Sequence, residues 1–420
     1  MTQPHWIEYL AAVFFALALL HTFSASFFTR LSHQETRLSL LWRVLGEVEI
    51  VFGLWGFLLV LCLTVFEGTD GALAYLGSQN FTEPLFVFVI LVITGTPPIR
   101  QVVRLLINRL SRLIALPGAI SHYFLILFAI PLLGSFVTEP AAMTMSALML
   151  RERYFSLDMP ESMKYLTIAI LFVNVSIGGV LTPYAAPPVL MVAGVWEWDT
   201  AFMLTRFGWK AVVAVFINAL LATWMFRRVL LRMDNPGRTV PPTEVPLPLI
   251  CIYLAVLVVT VFFSHHPVVF MGLFLLFLGL TEAYKAHSQP LMLREGLLVA
   301  FFLAGLVVLG GLQKWWLQAL LADMTPGMLF LGATGLTAIT DNAALTYLGS
   351  MVDGLSPEGK YTLVAGAVTG GGLTVIANAP NLAGFSILKD RFAEQTVRPL
   401  FLVLFAAIPT LVAGLCFFFL

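Results

Sequence analysis

Two carboxylates lie inside runs that are otherwise apolar. Glu139 belongs to Thr138-Glu139-Pro140-Ala141-Ala142-Met143-Thr144, and Asp341 to Thr340-Asp341-Asn342-Ala343-Ala344-Leu345-Thr346. An ionisable group at membrane depth costs roughly 2.5–3.5 kcal/mol even on insertion scales, so its retention points to a task. The chemistry such acids offer in hydrocarbon is the uptake and release of a small cation, H⁺ or a hard ion such as Na⁺. The alternative is structural: each acid would only cap a half-helix, Glu139 ahead of Pro140 and Asp341 together with Asn342. Threonine or serine would cap at less cost in hydrocarbon, which favours the chemical role.

Each motif is followed by a second echo. Gly179-Val180-Leu181-Thr182-Pro183-Tyr184-Ala185-Ala186-Pro187-Pro188 is answered by Gly371-Gly372-Leu373-Thr374-Val375-Ile376-Ala377-Asn378-Ala379-Pro380. Gly178-Gly179 and Gly370-Gly371-Gly372 allow the backbone to unwind. Unwound helices free main-chain carbonyls, hard oxygens suited to Na⁺, and Asn378 and Asn381 add amide oxygens. The candidate cation- and proton-binding set is therefore Glu139, Asp341, Asn342, Thr138, Thr340, Thr182, Thr374, Asn378 and Asn381, with Na⁺ at Glu139 and Asp341. Asn174 and Ser176 precede the first break and are weaker candidates; Asn218 and His21 suit helix packing.

The composition excludes a soluble protein. Of 420 residues, 59% are hydrophobic and 11% charged, against roughly 25% charged in soluble domains. The formal net charge is zero, which gives no ground for a nucleic-acid partner. Cys62, Cys251 and Cys416 all sit in apolar runs and form neither a disulfide framework nor a metal site. No phosphate-cradling G-x-x-x-x-G-K-[ST] loop occurs, so ATP is not the energy source, and no cofactor is expected. Nothing points to an enzyme.

Apolar runs of about 17–25 residues mark spans. They fall at 6–27, 45–66, 81–96, 161–199 (broken), 207–226, 246–263, 267–283, 296–312, 358–388 (broken) and 398–419. No Lys or Arg precedes 6–27, so it reads as a retained span rather than a signal peptide. The runs 118–150 and 326–352 carry the acidic motifs at their middle or later part and read as re-entrant hairpins. With the N-terminus outside and both hairpins returning to the side they left, 19 of the 23 basic residues fall inside. Both termini are then outside.

The expected fold is all-α and integral to the membrane: about ten to eleven transmembrane helices, two re-entrant hairpins and two broken helices in an inverted two-fold repeat. The first repeat, 1–226, holds scaffold helices 6–96, hairpin 118–150, broken helix 161–199 and helix 207–226. A cytoplasmic linker spans 227–245. The second repeat, 246–420, holds scaffold helices 246–312, hairpin 326–352, broken helix 358–388 and helix 398–419. Residues 100–113 are polar at i, i+4 and i+8, an amphipathic helix for the inner interface, with 314–321 as its outer counterpart. These two either anchor at the interface or act as arms joining each hairpin to the scaffold.

At these motifs the chain resembles the ion transporter superfamily of arsenite permeases and sodium–dicarboxylate symporters, and within it the Na⁺/H⁺ antiporter branch. The resemblance implies about eleven spans, a homodimer, elevator-type motion and a bacterial-type inner membrane. The hairpin tips depart from the Ser-Asn-Thr of the dicarboxylate branch: here they read Thr138-Glu139-Pro140 and Thr340-Asp341-Asn342. Two carboxylates facing one cavity repel an anion and attract a cation. The expected function is exchange of Na⁺, or another monovalent cation, for H⁺ across the lipid bilayer, with the two acids titrating as a coupled pair. The alternatives are a Na⁺-coupled symporter of a small organic or inorganic anion and a membrane scaffold without transport.

Overall fold

In hydrocarbon an unpaired backbone N–H or C=O is costly, so a chain this apolar must satisfy its backbone within helices. The computed structural model describes residues 6–32, 39–155, 159–233, 245–284, 290–321, 324–393 and 397–420, and among these residues it contains helices and no strand. In chain order the helices are α1 (Trp6–Ser32), α2 (Ser39–Leu45), α3 (Val48–Ser78), α4 (Thr82–Thr94), α5 (Pro97–Leu113), α6 (Gly118–Val137), α7 (Glu139–Arg153), α8 (Glu161–Gly178), α9 (Pro187–Trp196) and α10 (Thr200–Met203). They continue with α11 (Trp209–Arg232), α12 (Leu247–Phe262), α13 (Pro267–Ala283), α14 (Leu293–Gly310), α15 (Lys314–Leu321), α16 (Pro326–Thr337), α17 (Asn342–Ser350), α18 (Pro357–Gly370), α19 (Ala379–Leu388) and α20 (Pro399–Phe419).

Among the described residues, six helices are long and apolar enough to cross a membrane, and a seventh span arises if α4 and α5 are one broken element. Part of the difference from the ten expected runs lies in length, and one of the six, α6, falls in the run 118–150 expected as a re-entrant hairpin. α12 and α13 have 16 and 17 residues, about 24–26 Å at ~1.5 Å per residue, short of the ~30 Å hydrocarbon core. The run expected to end at 66 continues as α3 to Ser78, through a break at Gly68, whose φ is 81°. The linker expected at 227–245 lies outside the described residues from 234 to 244, and α11 runs on to Arg232.

The chain divides into two compact units, each drawing on both halves of the sequence. One comprises Met1–Val89, Met292–Met324 and Tyr347–Ser356. Its main packing is α3 on α14, and glycine makes that crossing close: a Cβ on Gly56 would come 3.2 Å from Gly305 Cα, and one on Gly305 would collide with the backbone of Phe52 and Gly53. Small residues at a helix crossing let backbones approach, which is how helices associate without a hydrophobic gradient. α15 is tied to the turn after α17, since Gln318 Nε2 donates to Asp353 O at 2.9 Å and Asp353 N donates to Gln318 Oε1 at 2.8 Å.

The other unit comprises Ile90–Leu291, Thr325–Thr346 and Pro357–Leu420. α5 has the expected amphipathic form, burying Pro98, Ile99, Val103, Ile107 and Ser111. It is fastened to α6 by Ser111 Oγ, 2.7 Å from both Ser121 Oγ and His122 Nδ1. α6 packs on α7, α8 and α11, α16 packs on α18, and α20 packs on α8, α11 and α18. Both regions expected to be broken are broken. α8 gives way at Gly178 to a short 3₁₀ turn before α9 resumes at Pro187, and α18 ends at Gly370 with α19 resuming at Ala379. Asn218 Nδ2 donates to Asn174 Oδ1 at 2.9 Å, a helix-packing contact between α11 and α8.

Candidate functional site

Both acidic motifs form the turn between one helix and the next, and all the residues that follow belong to the second unit. The first turn is a single residue: α6 ends at Val137 and α7 begins at Glu139. Thr138 makes it with φ 89° and ψ 150°, a region that costs a β-branched residue on the order of 1–3 kcal/mol. Thr138 N donates to Gly134 O at 2.7 Å, and Ala142 N donates to Thr138 O at 3.0 Å. The second turn is longer, from Ala338 to Asp341.

Glu139 is fully buried in the first turn of α7, where the positive end of the helix dipole favours a carboxylate. Its Oε2 accepts from Asn378 Nδ2 at 2.8 Å. Its Oε1 has no hydrogen-bond partner. Gly179 leaves it room: a Cβ there would lie 2.6 Å from Glu139 Cγ and Oε1.

Asp341 is differently placed. Its Oδ1 accepts from Ala343 N at 2.8 Å and Ala344 N at 3.3 Å, and its Oδ2 accepts from Ala379 N at 3.1 Å. One carboxylate thus caps two helix N-termini, those of α17 and α19, and both its oxygens are engaged. The capping alternative describes this acid, whereas the Glu139 carboxylate makes no such bond to the N–H groups of its own helix.

Around Glu139 the structure gathers oxygen donors. Asn381 N donates to Asn378 O at 2.9 Å, which sets the two asparagines on the first turn of α19. Asn381 Nδ2 donates to Gly371 O at 2.7 Å and to Thr374 O at 2.9 Å, spending its amide on the unwound strand of the break. Asn342 stands beside Gly371: a Cβ on that glycine would come 2.8 Å from Asn342 Nδ2. Asn342, Asn378 and Asn381 are all buried, and each has its Oδ1 unpartnered; so are Asn342 Nδ2 and Thr138 Oγ1. Half of the buried, unpartnered side-chain polar atoms among the described residues belong to this cluster. Leaving one such atom unpaired costs about 1–3 kcal/mol, so their concentration marks a seat for something polar.

Three expected site residues are occupied elsewhere. Thr182 Oγ1 donates to Ser135 O at 2.5 Å, Thr374 Oγ1 donates to Ala338 O at 2.8 Å, and Thr340 Oγ1 donates to Leu336 O at 2.9 Å. Sequence reasoning missed Ser135, whose Oγ donates to Gly178 O at 2.7 Å and accepts from Leu181 N at 2.9 Å, stapling α6 to the first break. Its only signal was a hydroxyl three residues ahead of Thr138 in an apolar run.

The two helix–turn–helix segments make the same contacts with their breaks. Glu139 N donates to Ala185 O at 3.5 Å, and Asn342 N to Ala377 O at 3.1 Å. Gly179 is pressed by the Glu139 side chain, and Gly371 by Asn342 together with Ser176, whose Oγ lies nearer. Thr182 bonds the carbonyl of Ser135, and Thr374 that of Ala338. Gly178 sits on the Pro131 carbonyl and Gly370 on the Thr334 carbonyl. In every pair Glu139 corresponds to Asn342, and Thr138 to Asp341. The letter match of Thr-Glu-Pro to Thr-Asp-Asn is thus out of step with the contacts by one residue.

A family model described as "Putative Na+/H+ antiporter" matches residues 6–420. Comparison with curated proteins gives no match.

Proposed function

The chain belongs to that antiporter family, and on this premise we propose that it exchanges Na⁺, or another monovalent cation, for H⁺ at the Glu139 cluster. The observation that carries the site is the free Oε1 of a fully buried carboxylate among unpartnered amide oxygens. Glu139 supplies the charge. The Oδ1 atoms of Asn342, Asn378 and Asn381 and the hydroxyl of Thr138 supply neutral, hard oxygens. Na⁺ and H⁺ compete for the same carboxylate, and only the neutralised site crosses at low cost, so exchange needs no further coupling device. Asp341 holds the frame by capping α17 and α19. The matched contacts of the two hairpins support an inverted two-fold repeat, the architecture that gives a transporter two related gates. Elevator-type motion, a homodimer and an orientation with both termini outside complete the reading.

The symport reading needs an anion seat at a half-helix N-terminus. The N-termini of α17 and α19 already hold Asp341. α7 carries Pro140 in its first turn and α9 begins Pro187-Pro188, and proline has no N–H to offer an anion. This arrangement favours cation exchange.

The test is proton movement in sealed proteoliposomes with a trapped pH dye, on addition of NaCl, KCl or choline chloride. Cation-selective proton movement in wild type, lost in Glu139→Gln, supports the proposal. No proton movement with any cation, in folded protein, overturns it.

A further inference from the structure

We propose that Asn342 sets the charge carried per cycle: it occupies in the second hairpin the place Glu139 occupies in the first, leaving one exchangeable carboxylate, so one cation exchanges for one proton with no net charge moved. The inference rests on the antiport reading of the Glu139 cluster.

The correspondence comes from contacts. Glu139 and Asn342 each open the helix after the turn, donate their N–H to the alanine carbonyl of the break, and set their side chains against the glycine that begins it, in the second case beside Ser176. In one hairpin the side chain reaching the cluster is an acid; in the other it is an amide. Asn342 is fully buried, and neither its Oδ1 nor its Nδ2 has a partner. An amide can lend an oxygen to a cation but brings no charge for a second cation or proton to neutralise.

Asp341 does not restore the missing charge. Both its oxygens are held by three backbone N–H groups at two helix N-termini, where the helix dipoles balance a carboxylate. An ion there would have to share oxygens already committed to holding α17 and α19. The balance per cycle is then one Na⁺ carried one way and one H⁺ the other, each neutralising the same Glu139 carboxylate.

The experiment uses full-length protein in proteoliposomes with a fixed Na⁺ gradient, and a valinomycin–K⁺ potential set to zero or to ~100 mV of either sign. The readout is the pH gradient at which proton movement stops. For each net charge moved per cycle, ~100 mV contributes about 2.3 kcal/mol, a factor of about 50 in the product of the ion ratios, which at a fixed Na⁺ gradient is divided among the protons moved. The expected result is no shift in wild type and a shift in Asn342→Asp, where two carboxylates in one cluster share a single Na⁺ but take up two H⁺, so that one net charge moves per cycle. Asp341→Asn is expected to exchange without a shift. A potential-dependent balance point in wild type, or in Asp341→Asn alone, would overturn the inference while leaving antiport intact. Absence of any cation-dependent proton movement in wild type would instead remove the antiport reading itself. The wild-type arm needs no variant to fold.

Discussion

Asn378 Nδ2 donates to Glu139 Oε2 across 2.8 Å, joining residues 239 apart in sequence. The bond links the tip of the first hairpin to the break of the second broken helix, and it orients the carboxylate so that Oε1 is the free oxygen. The acid and the amide are both buried, so neither can exchange its partner for bulk water.

Removing that donor should weaken cation binding more than it weakens the fold. In Asn378→Ala the carboxylate loses a hydrogen bond to a charged group, worth about 1.5–3 kcal/mol, and the cluster loses one oxygen. The Na⁺ concentration for half-maximal proton movement should rise about ten- to hundredfold. An unchanged half-maximal concentration would place the cargo elsewhere.

The glycines beside the two tips should tolerate no side chain. Gly179→Ala would bring a methyl 2.6 Å from Glu139 Oε1, and Gly371→Ala would drive one into Ser176 Oγ and to 2.8 Å from Asn342 Nδ2. Displacing either side chain should lower the initial exchange rate at least tenfold. Gly272 in α13 has nothing within 4 Å of a built Cβ, and Gly272→Ala should match wild type. Exchange by Gly179→Ala at the wild-type rate would contradict the placement of Glu139.

The two acids should separate stability from transport. Asp341→Leu removes a double cap, and a cap is worth about 0.5–2 kcal/mol, so its midpoint of thermal unfolding in detergent should fall. Glu139→Gln keeps the volume and an acceptor for Asn378; its midpoint should hold while exchange is lost. The reverse pattern would exchange the roles assigned here.

In the first unit, Gly305→Leu should be the severe substitution. Its side chain would enter the backbone of Phe52 and Gly53, and overpacking of this kind typically costs about 1–3 kcal/mol or more. A lowered yield of monodisperse protein and a lower unfolding midpoint are expected. A neutral result would mean that α3 and α14 do not cross at these glycines.

Much of this was legible in the sequence, because the strongest constraints are local. Prolines and paired glycines dictate where α8 and α18 end, and a carboxylate in an apolar run advertises a buried site. The polar period of residues 100–113 matches the buried face of α5. What the letters concealed was register. Thr138-Glu139-Pro140 and Thr340-Asp341-Asn342 align by residue type, yet the contacts keep one offset from Pro131/Thr334 through Ser135/Ala338 to Glu139/Asn342, which puts Asp341 at the place of Thr138. That register is visible only in how each turn packs on its break, which no local motif encodes. Thr182 and Thr374 showed the same limit: their spacing marks them as part of the apparatus, but only packing shows their hydroxyls bonded to the hairpin carbonyls.

Each hairpin is stapled to its own break, the first through Ser135 and the second through Asp341. The Asn378–Glu139 bond is of another kind, since it runs from one half of the chain to the other and ends on the carboxylate that the cargo must engage. The clasp holds Oε2 and leaves Oε1, so an arriving ion engages the same carboxylate that joins the halves. Loading and the link between the halves therefore meet on one carboxylate, through different oxygens.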